Sequence, residues 1–371
     1  PVLTVREALA AQSFVLPPVT VRRGDAAAAL ASAPHTPSGS LEVGGQEHFY
    51  LEGQIAYVLP QEQNQWLVYS STQHPGEAQH WVSHALGIDN NAVRVECRRM
   101  GGGFGGKETQ SGHMAVWAAL AARKFGKPVK LRMDRDDDFM VTGKRHPFAY
   151  DYTAGFDARG RLCGLQLMMA ANCGFSADLS GPVADRAIFH SDNAYFLSDV
   201  VIESFRCRTN KQSQTAFRGF GGPQGMIAIE TILGDVARAL GLDPLAVRQR
   251  NLYGIGERDV THYQMKVEDN ILAPLLAKVM QAAVSRKRET LADVCETLKA
   301  TGLLGGGQPV LDALIRSVSR FAALDAFPYE ESRARRLVSE LLGCELPYAC
   351  PQGRPTMIQW SFSELERKFG R

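Results

Sequence analysis

Residues 98–108 read Arg98-Arg99-Met100-Gly101-Gly102-Gly103-Phe104-Gly105-Gly106-Lys107-Glu108, with five glycines around one phenylalanine. Glycine loses more backbone freedom on folding than any other residue. Such a run is therefore costly to order unless something must approach the backbone closely. The flanks narrow the geometry. Residues 92–97 predict a strand and residues 109–125 a helix, so the loop joins a strand end to a helix start. Backbone N–H groups in that setting suit anionic or oxo oxygens.

Three ligands fit a loop of this kind. Gly101, Gly103 and Gly106 satisfy the GxGxxG pattern of a dinucleotide site, and Asp134 follows the next strand where a ribose-binding acid could stand. Gly101, Gly106 and Lys107 also approach a phosphate P-loop. Glu108 then replaces the hydroxyl residue that would hold magnesium, which removes that reading. In the third reading the glycines admit the oxygens of another cofactor, Phe104 lies beside it, and Glu108 is a pocket carboxylate at the helix start.

The rest of the chain predicts an α+β protein. Expected helices cover residues 5–12, 74–86 and 225–240, and expected strands cover 55–59, 66–71, 128–133, 150–157, 162–172 and 200–207. The Pro-, Ala- and Ser-rich residues 17–40 read as a loop or arm. After residue 278 the texture becomes charged and helical, with Gly305-Gly306-Gly307 as a turn, and a boundary is expected near residue 280. The 371 residues carry a net charge of +2, which gives no global attraction to nucleic acid or anionic lipid. No apolar run is long enough to span a membrane, and the opening residues lack a signal-peptide layout. The missing initiator Met suggests a fragment or a processed chain. Seven cysteines without a CxxC pair fit reduced thiols in a cytoplasmic protein, and their spacing provides no iron–sulfur cluster. His80 and His84 have helical spacing but lack the acid and third ligand of a zinc site.

A second glycine–phenylalanine loop, Arg218-Gly219-Phe220-Gly221-Gly222-Pro223-Gln224, also opens a helix. Two such loops suggest one large anionic cofactor held from two sides. With Gly44-Gly45-Gln46-Glu47-His48-Phe49-Tyr50-Leu51-Glu52, Ser71-Thr72-Gln73-His74 and Asp185-Arg186-Ala187, they give residues 1 to about 276 a close resemblance to the molybdenum hydroxylases of the xanthine dehydrogenase family, large-subunit type. The resemblance implies a mixed-sheet molybdopterin-binding fragment with two regions, 1–145 and 146–277, and oxidative hydroxylation of hypoxanthine or xanthine.

Carried over by residue, the resemblance implies that Gln73 hydrogen-bonds an oxo ligand of molybdenum. It puts Phe104, Gly105 and Arg218 at the molybdenum–pterin centre. Glu108 and Arg186 would bind opposite polar edges of the purine, and Phe220 would stack on its ring. The chemistry is coherent: a flat heterocycle needs an aromatic face and a few fixed polar groups, and Arg186 could stabilise charge developing on a purine oxygen. Taken singly, Gln73 also fits a capping position, Arg186 an ion pair with Asp185, and Phe220 a core position. The resemblance further implies an iron–sulfur and FAD subunit or domain as electron acceptor, with neither group bound by this chain. The family's general-base Glu lies in a glycine-rich motif that does not occur in this sequence. No catalytic residue is therefore identified, and the expectation is weak cofactor binding and no purine hydroxylation by the chain alone.

Residues 308–371 resemble a different family, the C-terminal end of the mismatch-repair protein MutL, through Cys350-Pro351-Gln352-Gly353-Arg354-Pro355-Thr356-Met357-Ile358 and Glu364-Leu365-Glu366-Arg367-Lys368-Phe369. This implies a small helix-rich α/β domain over 278–371 and a homodimer through 280–371. Gln352 replaces the metal-binding His of that motif, so nuclease activity is not expected. Two alternatives to the molybdenum enzyme remain at the level of sequence: a non-catalytic dimerisation module built on the tail, and a nicotinamide or flavin enzyme built on the first loop.

Overall fold

The computed structural model describes residues 1–283. The chain divides into two units, Pro1–Asn270 and Ile271–Arg371. Residues 272–283 are helical, and the MutL-like segment 308–371 lies outside the described residues.

The first unit is α+β, as expected. Helix α1 (Val5–Ala10) starts with a reciprocal cap. The Glu7 N–H donates to the Thr4 hydroxyl and the Thr4 N–H to the Glu7 carboxylate. The expected arm at 17–40 is instead ordered as β1 (Phe14–Arg23), α2 (Ala26–Ser32) and the start of β2 (Ser38–Val43). The prolines misled because Pro17 and Pro18 lie in an edge strand, at a break in register between Leu16 and Val19. Asp25 caps the Ala-rich α2 by accepting from the Ala28 N–H at 3.0 Å.

Next come β3 (Ile55–Pro60), β4 (Trp66–Ser70), α3 (Pro75–Leu86), β5 (Val93–Glu96), α4 (Ser111–Phe125), β6 (Val129–Arg132) and α5 (Arg135–Val141). The chain continues through β7 (Phe148–Phe156), β8 (Leu162–Gly174), α6 (Ser180–Phe189), β9 (Val200–Arg208), α7 (Gly222–Leu240) and α8 (Pro244–Asn251). A four-stranded sheet has the order β5-β4-β3-β6, and a five-stranded sheet the order β1-β9-β8-β7-β2. Both are mixed, with parallel pairs only at β4–β5 and β8–β9 among the described strands. The sheets do not follow a division at residue 145, because β1 and β2 join the sheet built from β7, β8 and β9.

Each sheet buries a face. In the smaller sheet Ala56, Val58, Trp66 and Val68 pack on Val82 and Leu86 of α3 and on the alanine-rich side of α4. In the larger sheet Tyr150, Tyr152, Leu165, Leu167 and Met169 pack on Ile229, Ile232 and Leu233 of α7 and Ile188 of α6. Its other face receives α1 and α2; a Cβ at Gly164 would come within 2.9 Å of Ala29. The topology also explains why the first glycine loop is not a dinucleotide site. A βαβ unit needs β5 and β6 as parallel neighbours, but β4 and β3 separate them. Asp134 is committed as the cap of α5, accepting from the Asp137 N–H at 2.9 Å.

Candidate functional site

Four segments of the first unit meet at one cavity of about 580 Å³, lined by Gln73, Phe104, Gly105, Glu108, Arg186, Ala216, Phe217, Arg218, Gly219 and Phe220. Gln73 comes from the turn between β4 and α3. Phe104, Gly105 and Glu108 come from the loop between β5 and α4, Arg186 from the last turn of α6, and the rest from the segment leading into α7. All seven residues singled out from the sequence therefore line the same space.

The first loop is held from beneath. Gln73 Oε1 accepts from the N–H groups of Gly105 and Lys107 at 2.8 and 3.2 Å, and the Gln73 N–H donates to the Lys107 carbonyl at 2.8 Å. With Oε1 used in this way, Nε2 is the end of Gln73 available to donate into the cavity. A Cβ at Gly103 would meet Gln73 Oε1 at 2.5 Å. Lys107 is 0% exposed and turns away from the cavity. Its ammonium donates to the Glu52 carbonyl (2.7 Å), the Glu52 carboxylate (3.2 Å) and the Ser71 hydroxyl (2.8 Å). A lysine bound in this way cannot reach a phosphate, so the P-loop reading fails on geometry as well. Burial lowers its proton affinity, opposed by Glu52.

The second loop is docked on the first. The Arg218 N–H donates to the Phe104 carbonyl at 2.9 Å, and His48 Nε2 donates to the Ala216 carbonyl at 2.6 Å. A Cβ at Gly105 (φ 99°) would come within 2.6 Å of that same carbonyl. Arg145 donates to the Arg218 carbonyl at 2.8 Å, and its guanidinium lies 3.9 Å from the centre of the Phe217 ring. Phe104 and Phe220 both adopt left-handed conformations, with φ 52° and 47°. Such backbones are strained for a bulky side chain and persist where the surroundings hold them. Phe104 remains 48% exposed.

The polar ends of the cavity differ. Burial, reinforced slightly by the Asp178 charge and opposed by His74, pushes the Glu108 carboxyl above the ordinary carboxylate range. Arg186 forms no ion pair among the described residues. Asp185, its sequence neighbour, instead pairs with Arg206, so the expected Asp185–Arg186 alternative does not form. Arg186 Nε donates to His190 Nε2 at 3.4 Å. Sequence reasoning gave no role to His48, to Arg145, or to Gln46, whose Oε1 accepts from Arg145 Nε at 2.5 Å, although His48 and Gln46 lie in a motif it had singled out. Arg145 stands between two elements and carries no local signal of its own.

The donor set suits an oxygen-rich anionic cofactor. Arg218, Arg186 and Gln73 Nε2 are side-chain donors on the cavity wall, and the second loop opens α7, whose helix N-terminus favours negative charge. Among the described residues no group of three metal-binding side chains occurs, and the His80 and His84 rings stand 6.4 Å apart. The four described cysteines, Cys97, Cys163, Cys173 and Cys207, are free. No described helix is long and apolar enough to cross a membrane.

Comparison with known proteins gives the family. Xanthine dehydrogenase/oxidase of Gallus gallus is 43% identical over 269 residues, covering 72% of this chain and 20% of that protein. Xanthine dehydrogenase of Dictyostelium discoideum is 40% identical over 279 residues, covering 75% of this chain and 20% of that protein. The chain thus spans about a fifth of the length of the curated relatives it matches. Among solved structures, the aldehyde oxidoreductase of Desulfovibrio gigas superposes with a TM-score of 0.66 at 25% identity, over 74% of this chain and 30% of that one. The aldehyde oxidoreductase of Desulfovibrio desulfuricans shares the fold at a TM-score of 0.70 and 21% identity, over 78% of this chain and 33% of that one. The molybdopterin cofactor-binding domain family matches residues 10–252, and the chain belongs to that family.

Proposed function

We propose that the Pro1–Asn270 unit supplies one wall of a molybdenum–pterin centre and of the purine pocket beside it. The observation that carries this reading is the convergence of Gln73, Phe104, Gly105, Glu108, Arg186, Arg218 and Phe220 on one cavity of about 580 Å³. Similarity to xanthine dehydrogenases favours hypoxanthine or xanthine as the heterocycle.

A molybdenum–pterin cofactor held by these residues would supply a metal able to accept electrons from the heterocycle. The residues of this chain orient the partners. Gln73 Nε2 would donate to an oxo oxygen, and Arg218 would offset the charge of the pterin side. Phe220 provides a face for the flat ring. Glu108 and Arg186 would grip opposite edges: Arg186 can only donate, so it would face a purine oxygen, whereas the Glu108 carboxylate would accept from a ring N–H. Electrons would leave to an iron–sulfur and FAD subunit or domain, and the setting would be cytoplasmic.

Two titrations test the assignment, one with free molybdopterin followed by fluorescence and one with xanthine. Arg218→Met should weaken pterin binding about tenfold, the value of one lost charged hydrogen bond. Glu108→Gln and Arg186→Met should weaken xanthine binding by a similar factor and leave pterin binding unchanged. Equal affinities in all three variants would remove the reading, and saturable nicotinamide binding would replace it.

A further inference from the structure

Asp178 stands two residues before α6, outside the cavity lining, at the junction of the segments that form the site. The Thr109 hydroxyl lies 2.8 and 3.1 Å from its two carboxylate oxygens, and Gln110 Nε2 donates to Oδ2 at 2.6 Å. The Thr215 and Thr109 hydroxyls are 3.2 Å apart. Thr109 and Gln110 directly follow Glu108, and Thr215 opens the segment that carries Arg218 and Phe220. Chain connectivity ties Asp178 to α6 and hence to Arg186.

We propose that Asp178 is a positioning residue that fixes the segments bearing Glu108, Arg186 and Phe220 relative to one another, its carboxylate bonded to Thr109 and Gln110 directly behind Glu108. The inference rests on the purine reading for its functional meaning, whereas the hub itself stands on contacts within this chain. Asp178 adopts φ 40°, a left-handed conformation that Asp tolerates better than most residues and that persists when surrounding bonds hold it. Burial raises its proton affinity, while the hydrogen bonds from Thr109 and Gln110 and the charge of His113 on α4 favour its ionised form.

Glu108 is faced by His74 from the start of α3 and by Asp178, and it shares the cavity with Arg186 of α6 and Arg218 of the second loop. A negative neighbour disfavours its ionised form.

The test uses the full chain with three readouts. Carboxyl-carbon NMR should show Glu108 titrating at lower pH in Asp178→Asn and at higher pH in His74→Ala; an unmoved Glu108 titration in Asp178→Asn overturns the proposal. Hydrogen exchange in Asp178→Ala should quicken together across residues 104–110, 178–186 and 215–220, and quickening of one segment alone overturns it. Xanthine should bind Asp178→Ala about tenfold more weakly with pterin binding unchanged, and equal xanthine affinity overturns it. Wild-type protein that binds no xanthine would defeat the purine reading, while the first two readouts still decide the role of Asp178.

Discussion

The two glycine–phenylalanine loops meet the same local demand with different support. Each sets a left-handed phenylalanine between glycines and opens a long helix. The loop at Phe104 is fixed from inside, by the buried Lys107 ammonium and the Gln73 side chain. The loop at Phe220 has no buried charge of its own. It rests on the start of α7, on Arg145, and on α6, where Gly221 leaves no room for a side chain against the Val183 carbonyl. Rigid support on one side and backbone contact on the other leave both phenylalanines lining a single cavity. A costly sequence signature therefore reports a backbone approach, and the surrounding residues decide which ligand the approach serves.

The comparison can be broken most sharply at the glycines. Gly221 has φ 93°, and a Cβ there would stand 2.0 Å from the Val183 carbonyl oxygen. Gly221→Ala should lower stability by at least about 3 kcal/mol, read from the urea midpoint. Gly105→Ala, at 2.6 Å from the Ala216 carbonyl, should follow with a smaller loss. The next contrast is between the two cations. Lys107→Met strands the Ser71 and Glu52 acceptors and should cost about 2 kcal/mol. Arg218→Met, at an exposed position, should change stability by no more than about 0.5 kcal/mol. Equal costs would mean that the loops are supported alike.

A further contrast is a pH dependence on the α6 side. His146 is buried, with Nε2 2.8 Å from the Ser180 hydroxyl and Nδ1 without a partner. Burial, aided by the Arg145 charge, depresses its pKa from 6.5 to about 3. The unfolded chain thus binds the proton first as pH falls. The His146 contribution should be complete above about pH 6.5 and decline toward pH 3, and His146→Phe should flatten that part of the stability profile. An unchanged slope would assign acid sensitivity to other groups.

Much of the site was legible in the sequence because its residues lie in dense local motifs. Gln73 sits in a Ser-Thr-Gln-His turn, Phe104 and Glu108 in one glycine loop, and Arg218 and Phe220 in the other. What escaped depends on contacts distant in sequence. Arg145 reaches Arg218 across 73 residues, and His48 reaches Ala216 across 168. The fold was legible where periodicity was strong, as in α7 and β8, and misread where proline hid an edge strand at β1. The GxGxxG pattern was ambiguous because spacing does not encode strand order.

The central claim is that both loops hold one pterin cofactor. It is tested most directly by fluorescence titration of free molybdopterin into the full chain, with one variant in each loop. Gly103→Ala would displace Gln73, since its Cβ would stand 2.5 Å from Oε1; Arg218→Met removes a cation from the other loop. The account predicts weak, saturable binding by the wild type and a loss of about tenfold in either variant. Binding that is unchanged in one variant, or absent from the wild type while nicotinamide binds, would contradict it.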